Sequence, residues 1–245
     1  MSDIRGIVFD KDGTLFDFVA TWGAWTRALL MDLAGDDPAR AAILGEAIGY
    51  DLPQQRFLPW SPVIAGTPGE IAEALLPHLP GASPLTLVAR MNQLAAEAPQ
   101  AQAVPLAPLM AVLKGRGLRL GVATNDAEGP ARAHLAAAGV EDLFDFVAGF
   151  DSGHGSKPAP GQLLAFAEAQ GLMPAQVAMV GDTRHDLHAA RAAGMTAVAV
   201  LTGLARAEDL SPFADQVLPD IGHLPDWLAG RAARPALAGA RETAA

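Results

Sequence analysis

Five short apolar runs recur along this chain: 4–9 (IRGIVF), 118–124 (LRLGVAT), 144–149 (FDFVAG), 177–182 (VAMVGD) and 196–202 (TAVAVLT). They are nearly continuous in small and branched apolar residues instead of alternating, which is the pattern of strands buried on both faces. Between the later runs lie 128–139 (EGPARAHLAAAG), 160–171 (PGQLLAFAEAQG) and 185–194 (HDLHAARAAG), helical in spacing and each closed by a glycine, as helix C-termini often are. The alternation predicts an α/β fold, a Rossmann-like parallel sheet with helices on both faces.

Residues 17–104 break the rhythm. They show no strand pattern, and FVATWGAWTRALLMDLAG places Trp22, Trp25, Leu29 and Leu33 on one helical stripe. A parallel crossover needs only about a dozen residues. The excess predicts a small all-helical domain inserted after the first strand. The expected organisation is a Rossmann-like core of 1–16 and 105–230, a helical insert of 17–104, and a peripheral or disordered Ala-, Arg- and Pro-rich tail of 231–245.

In an open parallel sheet, ligands bind beyond the carboxyl ends of the strands. Those ends are where the polar residues of this chain sit. Asp10 and Asp12 follow the first run, Thr124, Asn125 and Asp126 the second, and Asp182 and Asp186 a later one, while Lys157 lies in the loop GHGSKPAP. Carboxylates gathered on one rim repel one another and require a counter-charge. Oxygen donors without paired histidines favour a hard cation, Mg²⁺ ahead of zinc. The Thr124 hydroxyl, the Lys157 ammonium and the N–H groups of the turn at Gly13 would then cradle phosphate oxygens, with Asn125 in support.

Composition narrows the chemistry further. The chain has no cysteine, so neither a thiolate nucleophile nor a zinc–thiolate site is available. A carboxylate remains as nucleophile, and aspartyl-phosphate formation is an established use of one. Asp10 would attack phosphorus, and Asp12 would protonate the leaving oxygen and later take a proton from water. The net charge of −10 argues against nucleic acid or an anionic membrane as partner and leaves a small phosphorylated metabolite. The opening MSDIRG lacks a signal-peptide pattern and no apolar run reaches membrane-spanning length, so a soluble cytoplasmic protein is expected. Nothing in the pattern specifies an oligomer.

Asp10-Lys11-Asp12-Gly13-Thr14, Thr124-Asn125, Lys157-Pro158 and Gly181-Asp182-Thr183…Asp186 together resemble the four motifs of haloacid-dehalogenase-like phosphatases. The resemblance is greatest to the phosphoglycolate-phosphatase-like subgroup and runs to about residue 225. It implies that the insert is a cap, that Asp10 is nucleophile and metal ligand, and that the Asp12 backbone carbonyl also ligates Mg²⁺. It further implies that Thr124 and Lys157 bind the phosphoryl group and that Asp182 and Asp186 hold the metal. Gly161 and Phe18 depart from the family pattern, where an acidic and a small hydroxyl residue are common. Asp151 is a candidate to orient Lys157, and Arg56, in DLPQQRF, a candidate to meet a substrate carboxylate or second phosphate. A phosphotransferase of the sugar-phosphate mutase kind and an idle phosphate-binding regulator are the alternatives. A calcium-binding EF-hand loop fails on spacing, and no G-x-G-x-x-G follows the first strand.

Overall fold

The structure is a computed structural model that describes residues 3–232. In chain order the elements are β1 (Gly6–Phe9), α1 (Phe18–Ala34), α2 (Pro38–Ala47), β2 (Tyr50–Asp51), β3 (Arg56–Phe57), α3 (Pro68–Leu75), α4 (Pro84–Ala96) and α5 (Leu106–Gly115). There follow β4 (Arg119–Ala123), α6 (Glu128–Ala137), β5 (Phe146–Ala148), α7 (Gly161–Ala169), β6 (Val177–Gly181) and α8 (Arg184–Ala193). The last elements are β7 (Thr196–Val200), α9 (Ala207–Leu210), β8 (Gln216–Leu218) and α10 (Leu224–Ala232).

Six strands form one parallel sheet in the order β5-β4-β1-β6-β7-β8. Alternation along β1 sends Ile7 and Phe9 into one core, with α5, α6 and α10, and Val8 into another, with α7, α8 and α9. The predicted sheet covered on both faces is therefore present. The order reverses at β1, whose neighbours β4 and β6 are followed by connections that run outward in opposite directions. Such a reversal opens a crevice at the strand ends, here between the residues that follow β1 and those that follow β6.

The segment after β1 gathers its own core, with Trp22, Trp25 and Leu29 of α1 packed against Ile71, Leu87 and Met91. It is helical except for the β2–β3 hairpin, which the sequence reading did not anticipate. Each of those strands has only two residues, too few to show a period. Asp17 caps α1 by accepting the Ala20 N–H at 2.8 Å, which settles that residue as a helix-terminus group. The two chain passages that join this segment to the sheet lie side by side. Asp17 N–H bonds the Ala101 carbonyl at 2.8 Å and Ala103 N–H bonds that of Leu15 at 2.9 Å. Strand β8 was also missed, since QVL is bounded by Asp and Pro and spans three residues. Of the tail expected to be peripheral, Arg231 and Ala232 end α10, and 233–245 lie outside the described residues.

Candidate active site

The turn after β1 carries the first carboxylates. Asp10 still pairs with the sheet through its N–H to the Val180 carbonyl (2.8 Å), so its side chain leaves the crevice floor beside the end of β6. Asp182 follows β6 directly, and Asp186 lies in the first turn of α8, where it accepts from the Thr183 N–H (3.0 Å) and hydroxyl (2.6 Å). All three are buried, and one oxygen from each lies within 4.8 Å of the other two. Lys157 joins them from the loop before α7, its ammonium 2.5 Å from Asp10 Oδ1 and 2.6 Å from Asp186 Oδ1.

Three carboxylates around one ammonium leave an excess of negative charge. Burial pushes the Asp10 carboxyl up to about 7, with Asp186 and Asp12 adding to the rise and Lys157 opposing it. Asp182 is raised well above the ordinary range, again by burial first and then by Asp10 and Asp186. Burial works against the Lys157 ammonium, yet the two carboxylates outweigh it and raise its pKa. The cluster passes the test for a hard divalent cation. In an octahedral Mg²⁺ shell with Mg–O bonds of about 2.1 Å, ligand oxygens stand about 3.0 Å apart when adjacent and about 4.2 Å when opposite, so carboxylates already within 4.8 Å of one another reach one ion by side-chain movement. The packing around Asp182 is close. A Cβ on Gly13 or on Gly203 would run into its carboxylate, and Gly13 also has φ +82°, a conformation that favours glycine.

A second buried network lies beside the first. Lys11, between the two aspartates, is fully buried. It donates to Asp12 Oδ1 at 2.8 Å and to His134 Nδ1 at 2.9 Å, and it faces Asp126 Oδ2 at 3.3 Å as an ion pair without hydrogen-bond geometry. Burial raises Asp126 to about 6, with Asp12 adding and Lys11 opposing. Because Lys11 can only donate, His134 Nδ1 is an acceptor, and its Nε2–H donates to the Ala95 carbonyl of α4 at 2.6 Å. Burial first and Lys11 second push this ring from 6.5 down to about 4.

That depression has a sign that can be measured. Between pH 6.5 and 4 the unfolded chain binds a proton that the folded ring refuses, so stability falls on acidification through this window. The full effect is on the order of 3 kcal/mol. His134→Gln should flatten this part of the pH dependence relative to the parent protein in urea denaturation. An unchanged slope would contradict the assignment.

The remaining predicted residues fall into place unevenly. Thr124 is buried at the end of β4, where its Oγ accepts the Asp126 N–H (3.1 Å) and its hydroxyl proton is left for the cleft it lines. Asn125 is a clamp. Its amide nitrogen donates to the Lys157 and Ala65 carbonyls (2.8 and 2.9 Å), and its oxygen accepts the Lys157 N–H (2.8 Å). The Gly13 N–H is spent on the Phe16 carbonyl at 2.7 Å, so Gly13 shapes the turn and does not supply a phosphate donor. Arg56 is not brought to the site: it lies on β3, 59 % exposed, and its Nε donates to Gln54 at 2.7 Å. Asp151 accepts the Glu128 N–H (2.9 Å), so Lys157 is oriented by Asp186 instead. Gly161 is required where it stands, because a Cβ there would strike the His154 carbonyl.

A cleft connects these groups to the helical segment. It is lined by Asp10, Asp12, Thr124 and Lys157 below and by residues of α1, α3, α4 and the 63–66 loop above. His185, in the first turn of α8, lines it too, and its Nδ1–H donates to the Ala65 carbonyl at 3.1 Å. Trp22 and Trp25 belong to the core of the helical segment, as expected, and also form part of the cleft wall. Sequence reasoning missed Asn92 and the Lys11–His134 link, for which the sequence carries no signal beyond helical spacing.

A parallel core with buried carboxylates at its point of reversal, covered by a helical segment, defines a capped Rossmann-like enzyme. A family model described as haloacid dehalogenase-like hydrolase matches residues 4–194. The chain is 35 % identical over 236 residues to a phosphoglycolate phosphatase of Rhodospirillum rubrum, covering 91 % of this chain and 90 % of that protein. It is 31 % identical over 219 residues to a phosphoglycolate phosphatase of Escherichia coli, covering 82 % of each. A solved HAD phosphatase of Thermococcus onnurineus superposes with a TM-score of 0.65 at 22 % identity, over 93 % of this chain and 99 % of that one, and supports the fold. The chain belongs to the haloacid dehalogenase-like hydrolases. Among its described residues no helix is long and apolar enough to cross a membrane.

Proposed function

We propose that this hydrolase cleaves a small phosphomonoester through a phospho-aspartate on Asp10, with Mg²⁺ as cofactor. The observation that carries the reading is the buried set of Asp10, Asp182 and Asp186, with oxygens within 4.8 Å of one another and the Lys157 ammonium paired to Asp10 and Asp186. Its relatives' names point the same way. Mg²⁺, held by Asp10, the Asp12 carbonyl, Asp182 and Asp186, would offset the carboxylate charge and polarise the phosphoryl oxygens.

An Asp10 oxygen attacks phosphorus as the ester P–O bond breaks, and Asp12 gives its proton to the departing alcohol oxygen. A water then attacks the phosphorus of the acyl phosphate while Asp12 takes back a proton, which releases inorganic phosphate and restores both carboxyls. Lys157 and the Thr124 hydroxyl hold the equatorial oxygens, where charge spreads in the transition state. The Lys11 ammonium keeps Asp12 in reach of the leaving group. The helical segment acts as a cap that excludes bulk water.

Phosphate release from a panel of small esters, with Mg²⁺ and with a chelator, tests the activity. Thermal unfolding tests the metal independently. Mg²⁺ at about 100 times its Kd should add about 2.7 kcal/mol of stability, more at pH 8 than at pH 5.5, because the ligating carboxylates must be deprotonated. Asp182→Asn should remove most of that gain. A melting temperature indifferent to Mg²⁺ at pH 8 would sink the metal assignment.

A further inference from the structure

The phosphoryl side of the cleft and its leaving-group side differ in chemistry. Above the carboxylates the wall is formed by Phe18, Trp22, Trp25, Ile64, Ile71 and Met91. The Trp25 indole N–H is already spent on the Met91 carbonyl (3.2 Å). The two indoles pack edge to face at 4.9 Å, so what they offer a ligand is apolar ring surface.

Among the described residues, cations are missing from that side. The segment 17–104 has four arginines, Arg27, Arg40, Arg56 and Arg90, and no lysine. None of them lines the cleft. Arg90 is held by Asp32 at 2.7 Å, Arg56 by Gln54 at 2.7 Å, and Arg27 and Arg40 are exposed. Lys11 sits behind Trp22, 5.5 Å from its ring centroid, and is committed to Asp12 and Asp126. Lys157 is taken by Asp10 and Asp186. His185 has its Nδ1–H engaged by the Ala65 carbonyl. Two residues that line this space hold a buried oxygen with no hydrogen bond among the described residues, Asn92 at Oδ1 and Asp126 at Oδ2.

A carboxylate on the leaving group would be stripped of water against aromatic rings with no cation to meet it. It would also approach Asp12 and Asp126, which line the same cleft. An uncharged apolar group loses nothing by desolvation there and gains by burial. We infer that the preferred substrate is a monoester whose alcohol is uncharged and largely apolar, carrying at most a hydrogen-bond donor that reaches Asn92, and not a carboxylated alcohol such as glycolate. This rests on the phosphomonoesterase reading above.

Steady-state phosphate release by the full chain with Mg²⁺ tests it on four esters: benzyl phosphate, isobutyl phosphate, phosphoglycolate and the neutral amide of phosphoglycolate. The kcat/KM for benzyl and isobutyl phosphate should exceed that for phosphoglycolate at least tenfold, with the amide in between. Ile64→Arg, which puts a cation in the apolar wall, should shift the phosphoglycolate-to-benzyl ratio at least tenfold towards phosphoglycolate. Parity, or a preference for phosphoglycolate in the parent protein, overturns the inference and leaves the phosphatase reading standing. No phosphate from any of the four esters overturns both.

Discussion

Asp10→Asn is expected to lower phosphate release by about 10⁴-fold or more, while making the metal-free protein more stable at pH 8. The loss of rate follows because an amide oxygen is too weak a nucleophile to form the acyl phosphate. The gain in stability follows from the crowding of Asp10 with Asp182 and Asp186. A carboxyl raised to about 7 in the fold binds a proton more tightly than in the unfolded chain. Its contribution is therefore favourable at low pH and is lost as the pH climbs to 8. An asparagine has no such loss, and the difference should amount to about 1–3 kcal/mol in chelator. Kinetics and urea denaturation on one preparation read both effects. Near-normal turnover would remove Asp10 as nucleophile, and a less stable variant would mean that its pairing with Lys157 dominates.

Lys157→Met should unfold the protein more readily by ~3–5 kcal/mol and abolish turnover. Lys157 is 4 % exposed, and its ammonium is the counter-charge that touches Asp10 and Asp186. Without it two carboxylates stay buried and uncompensated, so they must either take up protons or open the site to water. Added Mg²⁺ should recover part of the stability and none of the phosphoryl-binding function. A variant as stable as the parent in chelator at pH 8 would contradict the charge balance drawn here.

The carboxylate-bearing rim was legible because of how parallel strands are buried. Val8, Val122 and Val180 sit in strands covered on both faces, so each strand reads as an apolar run, and the first polar residue after it marks the functional edge. Lys11 was opaque for the opposite reason. Flanked by two aspartates in a turn, it looks solvated, and only the approach of α6 and α4, far off in sequence, buries it against His134 and Asp126. Arg56 misled because a polar, proline-containing stretch gives no clue to which way its hairpin points. Asn92 was silent, since one amide on an amphipathic helix carries no pattern until the cleft beneath it is known. Long-range packing decides such residues, whereas local pattern decides strand ends.

The closure of the cleft depends on a feature that evolution of the upper wall cannot easily disturb. Asn125 and His185 reach the Ala65 oxygen, and His134 reaches that of Ala95. Each donor is a side chain of the sheet-bearing half, and each acceptor is peptide backbone. Side chains around Ala65 and Ala95 can therefore be exchanged wholesale while the fastening persists. A library randomised at Ile64 and Asn92, neither of them fully buried, should yield many folded variants that differ in what they accept, with the groups underneath left intact.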